Sequence, residues 1–217
     1  MQKARVVSDH LEAVKRLVWL EQKGPPLGRM AKRRQGLILC AEEASVAPWG
    51  SVSYTWARRG RQPEVPTSGK CKGYKVFGAL AYFSGRLFSP GSEGRLQSDS
   101  YQAFLQRILA QTTPHLLLSH DGARYHTRAA TQAFLAAHSE RLTAEPLPSY
   151  APDYNPIAYL WKQTKQRATH NKYCAEFATL MVSVEKALTY FATHPAEVLG
   201  LFGRYCEESG LALAQAA

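Results

Sequence analysis

Three prolines at every fourth position, Pro148, Pro152 and Pro156, sit in the run Leu147-Pro-Ser-Tyr-Ala-Pro-Asp-Tyr-Asn-Pro-Ile157 and constrain this chain more than any other feature. Proline fixes φ and carries no N–H, so the run is a rigid approach that ends where Pro156 opens a helix. At about 100° per residue, that helix packs Ile157, Leu160, Trp161 and Thr164 on one side. The neighbouring stripe reads Ala158, Lys162, Lys165 and Thr169. Upstream, His115-Leu-Leu-Leu-Ser-His120 is a short apolar run, expected to be an interior strand because parallel strands are buried on both faces. It leads directly into Asp121-Gly122.

The rest of the chain alternates in the same manner. Residues 1–35 are polar and basic, with one amphipathic run broken at Gly24-Pro-Pro26. Gly36–Ala41 reads as a buried strand that ends at Glu42 and Glu43. Tyr54–Trp56 and Lys75–Phe83 read as two more strands, joined by basic, turn-rich loops, and Gly85–Phe88 completes a hairpin. Helical periodicity follows over residues 98–111, then over Thr127–His138, with a strand near Leu142–Pro146. Two further helices, near 173–192 and 195–208, finish the chain. A strand meander followed by alternating helix and strand gives a mixed α/β domain with a central sheet. The expected organisation is a basic helical segment at 1–35, the mixed α/β domain at 36–172, and helices at 173–217 packed on that domain.

The chain has 27 Lys and Arg against 17 Asp and Glu, a net charge of +10. Such a balance suits a polyanionic partner. No apolar run reaches membrane-span length, and residues 1–10 lack a signal peptide's apolar stretch, so a cytoplasmic, nucleoid-associated protein is expected. The four cysteines, Cys40, Cys71, Cys174 and Cys206, are far apart and read as inert thiols rather than a zinc site. No P-loop or Gly-x-Gly-x-x-Gly follows a strand, so nucleotide-driven chemistry loses support.

Asp121 is the leading candidate for chemistry, because strand ends of α/β sheets open into the crevice where ligands bind. Its bland alternative is a helix cap. Glu42 and Glu43 close another strand, and only one of them can share a side with Asp121. Carboxylates from two strand ends suit a hard divalent cation such as Mg²⁺. His126 is expected to hydrogen-bond a ligand rather than to bind metal itself. Lys162 and Lys165 either trail toward a phosphate backbone or form a solvated helix face. Arg58 and Arg59, beside Trp56, offer a surface for nucleic acid.

Taken together, Ala41-Glu-Glu-Ala-Ser45, Tyr54-Thr-Trp-Ala-Arg-Arg-Gly60, His120–His126 and Leu147–Ile157 with Leu160-Trp161 resemble the mariner-like superfamily of DDE transposases, in its bacterial insertion-sequence branch. The resemblance implies an RNase H-like fold, Mg²⁺ or Mn²⁺ as cofactor, and cleavage and strand transfer at transposon ends. Double-stranded DNA, at those ends and at the target, is the implied partner, with a homodimer acting on paired ends. It places Glu42 where the family has its first Asp, Asp121 at the second, and Ala158 where the last Glu or Asp stands. The resemblance therefore names Glu42 and Asp121 as catalytic and metal-binding, while the basic residues read above, Arg58, Arg59, Lys162 and Lys165, are the expected DNA contacts. The loss of an acid at 158 predicts weakened metal binding and an impaired enzyme. The alternative is a DNA-binding relic or domesticated module without catalysis. The family's usual N-terminal DNA-reading region does not fit within residues 1–35, so end recognition is expected to need a separate segment.

Overall fold

The computed structural model describes residues 36–49, 55–61, 64–66, 72–92, 96–147 and 155–201. Strand β1 (Leu37–Val46) lies at the centre of the sheet, antiparallel to β2 (Tyr74–Ala81) on one side and parallel to β5 (Leu116–His120) on the other. The short β3 (Leu87–Phe88) and β4 (Gly91–Ser92) both pair with β2, and β6 (Leu142–Pro146) continues the sheet parallel to β5. The order is β3-β2-β1-β5-β6, with β4 also on β2. An antiparallel meander has thus been joined to a parallel half.

Helices cover both faces. Alternation along β1 and β2 sends Cys40, Ala44, Val76 and Leu80 to one face and Leu39, Ala41, Phe77 and Ala79 to the other. On the first face lie α4 (Ile157–Thr169), α5 (Phe177–Thr193) and α6 (Pro195–Leu201), through Ile157, Leu160, Trp161, Leu180, Val184 and Val198. On the second lies α1 (Ser98–Gln111), through Tyr101, Phe104, Leu105 and Ile108, with the short α2 (Arg124–Thr127) and α3 (Ala129–Ala137) beside it. The turn from β2 to β3 is fixed by Gly85 at φ +67°, where a Cβ would lie 2.4 Å from the carbonyl oxygen of Pro195. Only glycine fits there.

Several sequence expectations need correction. Strand β1 does not stop at Glu42 but runs to Val46, because Glu42 to Val46 pair in register with Gly78 to Tyr74. Thr55 and Trp56 form no strand: they lie in an exposed, arginine-rich segment that pairs with no strand among the described residues, and Trp56 is fully exposed. The helix expected over 127–138 is α3, which starts at Ala129 because Arg128, at φ −63° and ψ 147°, is extended and separates it from the unexpected short α2. Residues 1–35, the proline approach at 148–154, Tyr54 and the last part of the 195–208 helix lie outside the described residues.

Candidate active site

Mid-strand in β1, Glu42 and Glu43 point to opposite faces of the sheet. Glu42 shares its face with Cys40 and Ala44, under α4, and is paired across the ladder with Gly78. Its carboxyl pKa is pushed up to about 7, first by burial and then by Glu43 and Asp121, with Lys165 offsetting part of the rise. Glu43 looks the other way, toward α1 and α2. Burial raises its pKa too, and the Tyr125 phenol counters some of that effect. Each glutamate has one buried carboxylate oxygen, Oε2, with no hydrogen-bond partner. Unsatisfied buried carboxylate oxygens are costly, and a bound cation is one way to satisfy them.

Asp121 follows β5 at the adjacent edge, because the parallel register sets Cys40 beside Ser119. Its side chain is 45% exposed, and Oδ1 accepts the backbone N–H of Ala123 at 3.1 Å. His126 lies behind it on α2, 2% exposed, with Nδ1 2.9 Å from the same Oδ1. The His126 contact, ahead of a smaller opposing effect of burial, holds the Asp121 carboxyl below its ordinary pKa. His120 also turns Nδ1 onto the Asp121 backbone carbonyl, at 2.6 Å. Burial and the neighbouring His126 ring depress its pKa, so His120 stays neutral more readily than a free histidine. Against His126 stands the ring of Tyr101, centroids 4.3 Å apart.

The helix expected to supply the third acid is seated tightly on the sheet. A Cβ at Gly78 would lie 2.4 Å from Trp161 Cζ2 and 2.9 Å from Ile157 Cδ1, so glycine opposite Glu42 is what lets α4 come so close. Asn155, 2% exposed, donates from Nδ2 to the Ala41 carbonyl at 3.1 Å and so ties the start of α4 to the residue preceding Glu42. The Ala158 N–H caps back onto the Asn155 carbonyl at 2.9 Å. Ala158 is half-buried in the first turn, above β1, and presents a methyl group. Of the stripe beyond it, Lys162 is exposed, Lys165 is partly buried near Glu42, and Thr169 is buried.

The structure gathers Glu42, Asp121, His126 and Lys165 around one end of the sheet. The arginines Arg58 and Arg59 lie on the separate exposed segment with Trp56. Three residues close to the site were not singled out from sequence. Tyr101 carries the helical spacing of any core tyrosine, Tyr125 sits within a motif read for its acid and histidines, and Asn155 stands in the proline run with nothing in the sequence to mark its hydrogen bond to β1.

The profile for the family described as DDE superfamily endonuclease matches residues 38–181. The chain belongs to that family. This DDE domain is 26% identical over 153 residues to the insertion element IS630 uncharacterized 39 kDa protein of Shigella sonnei, covering 69% of this chain and 44% of that one. It thus spans less than half the length of that relative. The catalytic domain of Mos1 mariner transposase matches with a TM-score of 0.53 at 13% identity, over 86% of this chain and 89% of that one. The mariner Mos1 paired end complex with Mg matches at 0.55 and 15% identity, over 86% and 60%. At such identities the structural likeness speaks for the fold, which is RNase H-like as the sequence implied.

Proposed function

We propose that this DDE domain is the catalytic part of an insertion-sequence transposase, organised for metal-dependent DNA cleavage and strand transfer and impaired in that chemistry. Ala158 carries this reading: a methyl group stands where α4 would deliver an acid, on a helix whose seating over Glu42 is intact. The paired end complex with Mg formed by Mos1 supports DNA ends and a divalent cation as the matching partners.

The donor set fits one hard cation. Glu42 brings an unpartnered buried carboxylate oxygen, and Asp121 a half-exposed carboxylate at the same sheet edge, both of the oxygen type that Mg²⁺ or Mn²⁺ takes. They fall short of two cations, because Ala158 adds no oxygen. Cations bound at such a pair of carboxylates polarise a phosphodiester and stabilise its developing charge. The chain's own residues prepare for it. His126 orients Asp121 by its hydrogen bond, Asn155 and Gly78 set the height of α4 over Glu42, and Lys165 with Lys162 places positive charge where a phosphate backbone would run. Glu in place of Asp at 42 extends the carboxylate by one methylene, about 1.5 Å, and a misplacement of about 1 Å costs about 10²-fold in rate.

Nicking of a supercoiled plasmid with Mg²⁺ or Mn²⁺ tests the reading. Activity is expected in Ala158→Glu, and most in Ala158→Glu with Glu42→Asp, and to vanish on adding Asp121→Ala. Cleavage by the unaltered protein at the same rate, abolished by Asp121→Ala, would overturn the impairment. A second reading, a DNA-binding module without catalysis, is favoured by the same methyl together with the exposed Arg58 and Arg59. It requires DNA affinity that Asp121→Ala leaves unchanged and nicking that no reversion restores. A homodimer on paired ends belongs to the transposase reading and is checked by the mass of the DNA complex.

A further inference from the structure

A second set of donors lies on the opposite face of the sheet from Glu42. Glu43, Asp121 and His126 each bring a ligand atom, and these atoms all lie within 4.8 Å of one another. The set is two carboxylates and an imidazole, held by three different elements: β1, the end of β5 and α2. Glu43 also carries a buried Oε2 that has no hydrogen-bond partner.

An independent observation points to a ligand here. Tyr101 is 2% exposed, its hydroxyl has no hydrogen-bond partner, and its ring lies against His126. That hydroxyl is close enough to Glu43 and Asp121 for their charges to add to the upward shift that burial gives its pKa. A buried phenol beside two carboxylates and a histidine, yet bonded to none of them, is the outer partner that a metal-bound carboxylate or water would use.

We propose that Glu43, Asp121 and His126 form a cation site of their own, selective for a divalent transition ion over Mg²⁺, with Tyr101 as the hydrogen-bond donor that steadies its ligands. The selectivity follows from the donors: imidazole suits transition ions, while Mg²⁺ prefers an all-oxygen shell. His126 then serves Asp121 in two ways. With its proton between them it orients the carboxylate, and with a cation present it offers a nitrogen instead. Because Asp121 belongs to both sets, a cation held by Glu43 and His126 draws that carboxylate away from Glu42.

Mn²⁺ is the probe, because pulsed electron paramagnetic resonance registers nitrogen in its coordination shell. The unaltered full chain should bind one Mn²⁺ with a nitrogen modulation, at least about tenfold more tightly than it binds Mg²⁺. His126→Gln should abolish the modulation, and Glu43→Gln should weaken Mn²⁺ by about tenfold or more. Glu42→Gln should leave the nitrogen signal in place. Glu43 is half-buried, so its variant keeps the test open if His126→Gln does not fold. A nitrogen signal that survives His126→Gln, or Mn²⁺ affinity indifferent to Glu43→Gln, overturns the proposal. Either result leaves the plasmid-nicking test of Glu42, Asp121 and Ala158 untouched.

Discussion

Folding moves Glu42 from an ordinary 4.5 to about 7, because a carboxylate under α4 loses water and feels the charge of two nearby acids. Between those values the folded chain holds a proton that the unfolded chain has released. Stability is therefore fullest below about pH 4.5 and drains away as pH rises through about 7. Glu42→Gln removes the charge without the burial. The variant should melt higher than the unaltered protein at about pH 8, by an amount on the order of 2 kcal/mol after allowing for partial solvent exposure, and the gap should close near pH 4.5. Thermal melts followed by circular dichroism at the two pH values decide it. A variant that melts lower at both would show that Glu42 is already compensated. Asp121 has the opposite sense, its carboxyl held down chiefly by His126. One acid waits for a counter-charge while the other has a partner.

The seating of α4 depends on the absence of a side chain. Gly78→Ala would drive a methyl into Trp161 and Ile157, at 2.4 and 2.9 Å. Overpacking of this kind costs about 1–3 kcal/mol. The urea midpoint should fall accordingly, and Trp161→Phe in the same chain should recover part of the loss by withdrawing the ring atoms in the way. No recovery would mean that the backbone of α4, rather than the indole, sets the spacing. How far the sequence exposed this element is instructive. The packed side of α4 was legible because Ile157, Leu160, Trp161 and Thr164 keep helical spacing, and all four are buried. Asp121 was legible because an apolar run ends just before it. The length of β1 was not, since two acids in mid-strand look like a strand's end until β2 pairs with them. Parity alone could say that Glu42 and Glu43 diverge, but only the ladder and the covering helices show which faces α4 and which faces Tyr101. Trp56 misled for a related reason: an aromatic beside Tyr54 and Thr55 has strand propensity, yet no strand among the described residues receives it.

Across the molecule, two groups of cations lie near enough to the site or exposed enough to be tested against DNA. The net +10 includes Lys162 and Lys165 on α4 and Arg58 and Arg59 on the exposed segment beside Trp56. Each cation withdrawn from a phosphate should reduce the slope of log affinity against log salt by about 0.9. Alanine at both Arg58 and Arg59 should thus flatten that slope by about 2 for a DNA duplex, measured by fluorescence anisotropy over a salt series. An unchanged slope would remove that segment from the DNA surface and leave α4 as the basic face. Among the described residues, no helix is long and apolar enough to cross a membrane. The methyl at Ala158 also has a genetic meaning. Every alanine codon lies a single base change from a codon for aspartate or glutamate. With Gly78, Asn155 and Trp161 still holding α4 in place, one point mutation could return an acid to a position already shaped for it, and drift at this site would be a short step in either direction.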